Sequence, residues 1–461
     1  MWKSVCIAAV ALAGVCHAVN PTGSVTPANS IMCLNWASTP KGIATNPGLV
    51  SPQDIAIDGA GNIFIVDSKT RELLRIDALT GETTVMLGRN VLQIPVGLTI
   101  SPTHADLYIG DENTSTIWHL PCQTRNVNYC TVYHTTPLNI TLADKVHPLG
   151  LQMDGDDHLY IADHNGHRVF KRDSTTLAMT VLMSAQNIGD TTNPFGPHDI
   201  AIDVSTHELL VTDSNNDDIW TLKCASSGLD SSGNSCDQYN PTPYKLALSG
   251  SASDIAMPSG IVTDLRSSIY VTGTKNGVVA EIKGNSSVDL LQASTLLPIQ
   301  TPVSIAFDAR PTAKNLYISD DTNGSSTHLY ELTCSQLACV PLDDRYIKHV
   351  LDGSCANTPV GSTCAVACAH GYTRNATTIG CTSSGWGTTG IACLNSSSPS
   401  SNSPAPAPGA LPSDGPDAGV AVGVTVAVLI VAGVAVFLFI RHRQGKLVVK
   451  TSDYTPFGST V

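Results

Sequence analysis

What this sequence has little of sets the first limits. Lysine and arginine total 25 against 38 aspartates and glutamates, a formal net charge of −13. That balance repels nucleic acid and anionic lipid, so neither is expected as a partner. No G-x-S-x-G elbow, H-E-x-x-H helix, phosphate-binding Gly-rich loop or Cys/His nucleophile pattern is present, so no catalytic set follows from motif alone. Between about Pro52 and Leu351 no long stretch repeats its apolar residues every 3.6 positions. That excludes a helical domain there.

The two ends carry the targeting signals. Lys3 precedes an apolar run, Val5 to Val15, and Cys16-His17-Ala18 gives a small-x-small ending. This is the pattern of a secretory signal over 1–18, too short in its apolar part to span a bilayer. From Gly419 to Ile440 run 22 residues without a charge, about 33 Å as a helix and enough to cross. Arg441, His442, Arg443, Lys446 and Lys450 follow it, while Asp414 and Asp417 precede it. The positive-inside rule then predicts a single-pass type I protein of the plasma membrane, with 19–418 outside, 419–440 in the membrane and 441–461 in the cytoplasm. Six sequons begin at Asn113, Asn139, Asn285, Asn323, Asn375 and Asn395, all on the outer side and all expected to carry glycan. Twelve of the fourteen cysteines lie after residue 18, an even number in an oxidising compartment.

An internal repeat fills the head. Six copies open as PQDIAID at Pro52, PVGLTIS at Pro95, PLGLQMD at Pro148, PHDIAID at Pro197, PSGIVTD at Pro258 and PVSIAFD at Pro302. Second strands follow as NIFIVD, DLYIGD, HLYIAD, ELLVTD, SIYVTG and NLYISD, then third strands as ELLRID, TIWHLP, RVFKRD, DIWTLK, VVAEIK and HLYELT. Openings recur every 43 to 61 residues, the period of a four-stranded propeller blade with its loops. Apolar and polar residues alternate as in strands, and a lone copy cannot bury both faces of its sheet, so the copies are expected to stack radially into a closed ring. Ser101 and Gly273 break the closing Asp pattern of blades two and five. The ring closes either through Tyr346 to Leu351 as outer strand of the last blade, or through Ile31 to Asn35.

These strings, P-x-[DG]-[IL]-x-[IVF]-D and [LI]-Y-[IV]-x-D, resemble the NHL-repeat propellers, related in pattern to the YWTD propellers of lipoprotein receptors. The resemblance implies an all-β fold, a six-bladed propeller over 19–351. Such propellers include binding proteins and enzymes, so the fold does not decide activity.

Cys122 with Cys130, Cys224 with Cys236, and Cys334 with Cys339 occupy equivalent places, the first of each ending a third strand. Disulfides there would pin the turn to the outer strand in blades two, four and six; zinc is the alternative. Cys355, Cys364, Cys368, Cys381 and Cys393 cluster afterwards, one short of a full set of pairs, with Cys33 left over. A bridge from Cys33 to this cluster and a reshuffled pairing with Cys339 both stay open. The string from Gly361 to Cys393, with C-x-x-G-Y at Cys368 and Gly385-Trp386, resembles a sushi module, placed at 352–393; it is shorter than such modules usually are. Residues 394–418, rich in Ser, Pro and Ala, read as an extended stalk.

Functional candidates fall on the loops of one face. Among the NHL-like enzymes, the amidating lyases hold zinc with histidines in P-H-x-[LI] strings at blade openings. Here only Pro197-His198-Asp199-Ile200 matches, the other openings having Gln53, Val96, Leu149, Ser259 and Val303. His147, His164, His167 and His198 belong to adjoining loops and form the possible metal set; no cofactor is predicted outright, zinc or calcium being the candidates. The repeated strand-closing aspartates suit hairpin turns better than catalysis. The loops Ser68 to Arg71, Glu112 to Ser115, His164 to His167, Ser214 to Asp218, Thr274 to Asn276 and Asp321 to Ser325 should crown the face. There Asn215, Asn216, Asp217 and Asp218 make an acidic, polar stretch suited to a basic protein patch, a cation or a glycan. In the tail, Tyr454 to Phe457 has the form of an endocytic sorting signal, and Ser459-Thr460-Val461 that of a PDZ ligand. The sequence therefore points to a receptor or adhesion protein binding an extracellular protein or glycan. A membrane-tethered propeller enzyme, lyase or hydrolase, is the alternative.

Overall fold

The computed structural model describes residues 31–395 apart from short internal segments, the longest being 340–349. The expected signal, membrane span and tail, the stalk beyond Asn395, and the sequons at Asn285, Asn323 and Asn375 lie outside the described residues, whereas Leu394 and Asn395, expected in the stalk, belong to the strand Cys393–Asn395 paired with Tyr372–Arg374. No helix among the described residues is long and apolar enough to cross a membrane.

Six four-stranded antiparallel sheets carry the repeat. Blade one is Pro52–Ile57, Ile63–Asp67, Glu72–Ile76 and Thr83–Leu87; blade three is Pro148–Met153, Leu159–Asp163, Arg168–Arg172 and Met179–Ser184. The first strand of each blade lies against the first strands of the blades before and after it, and the last, Pro302–Phe307, returns to Pro52–Ile57. The chain is a closed β-propeller.

Strand alternation explains the core. In blade one Ile63 and Ile65 pack with Ala306, Tyr317 and Leu329 of blade six. Phe64 and Val66, on the opposite face, pack with Leu98, Leu107 and Ile109 of blade two. Similar wedges fill the interfaces of blades two and three, three and four, four and five, and five and six. Each fully buried Leu, Ile or Phe contributes about 1.5–3 kcal/mol, so the core is distributed around the ring.

The repeated aspartates are turn residues, as their spacing implied. Asp67 takes N–H donors from Val50 (2.7 Å) and Ser51 (3.0 Å) on one oxygen, and from Lys69 (3.0 Å) and Thr70 (2.9 Å) on the other. It thereby ties the entry of the blade to its second hairpin. Asp111, Asp163, Asp213 and Asp320 repeat the contact to the entry segment. In blade five Asn276 does so instead of Gly273, accepting from Ala256. At the other end of the sheets Asp58 accepts from Ala60 and Asn62, and in blade two Ser101 takes this place, accepting from His104. Asp67→Ala, which strips four backbone donors of their acceptor, should cost about 2–4 kcal/mol in urea unfolding; a loss under 1 kcal/mol would contradict this role.

Ring closure differs from both expectations. The outer strand of blade six is Lys41–Gly42, paired to Tyr330 and Glu331. Ile31–Trp36 pairs instead with Cys334–Cys339, in a sheet that also holds Thr358–Pro359. Val350 bridges to Cys368, away from blade six.

Disulfides form at Cys122–Cys130 and Cys224–Cys236 as the spacing predicts, but Cys334 and Cys339 do not pair with each other. They are the two ends of one extended strand, some 16 Å apart at about 3.3 Å per residue, where a disulfide needs Cα atoms within about 7 Å. Cys334 bonds to Cys33 and Cys339 to Cys381. The remaining bonds, Cys355–Cys364 and Cys368–Cys393, lie in the small module. Its core is little more than Val350, Val366, Ile379 and Cys393, too little to fold without crosslinks.

Candidate functional site

Six first strands line the ring axis, and their third residue decides how closely they approach. Blades two, three and five have Gly97, Gly150 and Gly260 there. A Cβ on Gly150 would stand 2.6 Å from both the Asp199 Cα and the His198 carbonyl oxygen. Blades one, four and six carry Asp54, Asp199 and Ser304.

The two carboxyl groups, on blades three places apart in a ring of six, bind alike. Asp54 accepts the Leu98 N–H of blade two (2.7 Å) on one oxygen. Its other oxygen accepts the Ser304 hydroxyl of blade six (2.7 Å) and the Ile55 N–H (2.8 Å). Asp199 accepts the Ile261 N–H of blade five (3.0 Å) and the Ile200 N–H (2.8 Å). Burial pushes the Asp54 carboxyl well above the usual carboxylate range, and the charge of Asp199 adds to the shift. Burial also raises Asp199, to about 7, against the lowering effect of its N–H donors.

At the mouth, Gln53, Val96, Leu149, His198 and Val303 surround this pair. On the far side of the carboxyls a cavity of about 220 Å³ is lined by residues such as Thr99, Gln152, Val262 and Phe307. His198 is held near 4 by burial and by the neighbouring His164, so it is neutral at physiological pH.

The four predicted histidines do not form one cluster. His164 and His198 are neighbours, ring centroids 6.3 Å apart. His147 points its Nδ1 toward Glu112, at 3.7 Å. His167 is committed elsewhere: its Nδ1 donates to the Phe195 carbonyl at 2.7 Å. Among the described residues no group of three or more His, Cys, Asp or Glu side chains is placed to hold a metal ion.

The predicted acidic rim is largely engaged in structure. Asp217 accepts the Met257 N–H (2.7 Å), Asn215 donates to the Pro194 carbonyl (3.0 Å) and Asn216 donates to Asp213 (2.8 Å). Asp218 is buried and ion-paired with Lys245. Asn215 and Asp217 remain exposed, as do Lys69, Arg71, Asn113, Asn165 and Lys275 on neighbouring loops. Asp54 and Asp199 were not singled out from the sequence. The signal for them was present: only blades one and four have an acid where the other openings have glycine or serine.

No family model matches the chain, and no curated protein matches it. Solved structures with a similar fold include virginiamycin B lyase from Staphylococcus aureus, 15% identical over 64% of this chain and 88% of that one, with a TM-score of 0.43. A gluconolactonase from Xanthomonas campestris is 12% identical over 63% and 88%, with a TM-score of 0.45. A chain of the nidogen/laminin complex is 16% identical over 50% and 76%, with a TM-score of 0.37. The likeness concerns the fold alone.

Proposed function

We propose that this chain is a single-pass cell-surface protein whose NHL-type propeller, followed by a sushi-like module and a stalk, binds a basic segment of an extracellular protein at the channel mouth. The observation that carries this reading is the mouth itself. An apolar collar of Val96, Leu149 and Val303 with the polar Gln53 and His198 leads to two carboxyls, the buried Asp54 and the half-buried Asp199. A lysine or arginine side chain laid over the collar would direct its charge toward the carboxyls. The reading is supported further by the export signals at the two ends of the sequence and by the polar loops around the mouth.

Binding of lysine-rich and acetyl-lysine peptides to the full-length chain in detergent tests this. Asp54→Asn/Asp199→Asn should weaken the lysine peptide at least tenfold, while Glu82→Gln, an exposed acid in a turn between third and outer strands, should not. Equal loss in both variants, or equal binding of acetylated peptide, counts against the mouth. The enzyme alternative rests on the His164–His198 pair; turnover of amidated-peptide precursors or lactones that a chelator abolishes would favour it.

A further inference from the structure

The segments that lead into the outer strands of the three even blades share a signature. Cys130, Cys236 and Cys33 open CTVYHTTP, CDQYNPTP and CLNWASTP, one pattern of C-x-x-aromatic-x-x-T-P. Each aromatic packs edge-on against the second strand of the preceding odd blade: Tyr133 on Phe64 at 5.8 Å, Tyr239 on Tyr160 at 6.3 Å, Trp36 on Tyr270 at 5.6 Å. In each case the outer strand begins 8 residues after the cysteine, at Leu138, Tyr244 and Lys41. Registers agree as well: Cys122 faces Tyr133 and Arg125 faces Cys130, as Cys334 faces Trp36 and Leu337 faces Cys33. The ring is three copies of a two-blade unit, and Cys33 to Ile43 is the displaced last piece of the third copy.

Displacement changes what the disulfide does. Cys122–Cys130 and Cys224–Cys236 close loops of 8 and 12 residues inside a continuous chain from third strand to outer strand. Cutting them leaves the outer strand tethered next to its partner. Cys33–Cys334 joins residues 301 apart, and no direct stretch of chain links the third strand of blade six to its outer strand. Two-residue pairing, the Ile43 N–H to the Leu329 carbonyl (2.8 Å) and the Ala37 N–H to the Thr333 carbonyl (2.9 Å) hold the segment there. Pairing of Ile31–Trp36 with Cys334–Cys339, the Lys41–Glu331 ion pair, and the packing of Trp36 and Ala37 beside Tyr270 and of Ile43 beside Leu329 add to its contacts. Cys122, Cys224 and Cys334 are half-buried, whereas Cys339 and Cys381 are buried at 0% and 2% exposure. A small thiol therefore reaches one sulfur of each of these three bonds before Cys339–Cys381, and it reaches Cys355–Cys364 of the module, half-buried at both ends, at least as readily.

We propose that Cys33 to Ile43 is a redox-released latch. A dithiol reductant transfers two electrons and two protons to Cys33–Cys334, leaving two thiols and an oxidised, cyclic disulfide of the reductant. The segment then leaves blade six and uncovers the Leu329–Leu332 edge and the face of Tyr270. The same reduction in blades two and four moves nothing.

Amide exchange on the full chain, native and after mild dithiol treatment with alkylation, tests the latch. Leu329–Leu332 should exchange at least tenfold faster after reduction, and Thr116–Leu120 and Asp218–Leu222 should stay within about twofold. Cys33→Ser/Cys334→Ser should reproduce the effect without reductant, and Cys122→Ser/Cys130→Ser should not. If the first variant does not fold, reduced wild-type protein decides. Equal response of all three strands, or Leu329–Leu332 still protected once Cys33 and Cys334 are alkylated, overturns the proposal.

Discussion

Gly150→Ala should destabilise the propeller by about 3 kcal/mol or more, the upper end of what overpacking costs. The added methyl would stand 2.6 Å from the backbone of both His198 and Asp199, and backbone cannot turn aside as a side chain can. Gly97→Ala, with its Cβ 2.5 Å from the Leu149 carbonyl oxygen, should behave alike. Gly88 has nothing within 4 Å of its would-be Cβ, so Gly88→Ala serves as the control and should lie within about 0.5 kcal/mol of wild type. Urea midpoints at one pH compare the three. A Gly150→Ala protein as stable as Gly88→Ala would mean the ring opens more easily than its packing implies.

The second large effect depends on pH. Asp199 binds its proton more tightly folded, at about 7, than its ordinary value of 3.8. Its contribution is therefore fully present below about pH 4 and is lost as pH rises toward 7 and ionisation puts a charge into the channel wall. At about 1.4 kcal/mol per pH unit, wild-type stability should fall by about 3 kcal/mol between pH 5 and pH 8 on account of this group. Asp199→Asn cannot ionise, so its profile should lose this part of the fall and keep only the part that Asp54, raised likewise, contributes. It also gives up one acceptor, which costs about 1 kcal/mol at every pH and so does not alter the slope. Parallel pH profiles for the two proteins would show that the channel is more hydrated than its burial implies.

What the sequence reveals about this fold is what its residues do locally. The strand-closing aspartates could be read because each bonds donors in its own blade, and the blades because every copy repeats the alternation. Cys334 was misassigned because its partner lies 301 residues away while Cys339 lies close by. Aligning Cys33 with Cys130 and Cys236 would have exposed the shared C-x-x-aromatic-x-x-T-P string and placed the outer strand at Lys41. That strand is two residues long, too short to display any alternation. The site was less legible than the fold. Histidines and a run of Asn and Asp drew attention as residue types, yet whether they are free depends on neighbours in other blades, such as Phe195 for His167 and Met257 for Asp217. Asp54 and Asp199 gain their character from burial, which no single blade displays.

The sheet that joins Ile31–Trp36 to Cys334–Cys339 also has a mechanical meaning. Tension on the chain beyond the module enters the propeller at Cys339, through the backbone and through Cys381. It first tends to peel Cys334–Cys339 away from Ile31–Trp36, one pair at a time from Cys339 toward Cys334. At Cys334 the peel meets the covalent bond to Cys33 and stops. Beyond that point the two chains of blade six are pulled together, so the load must shear whole strands rather than unzip them, and the ring bears force as a body.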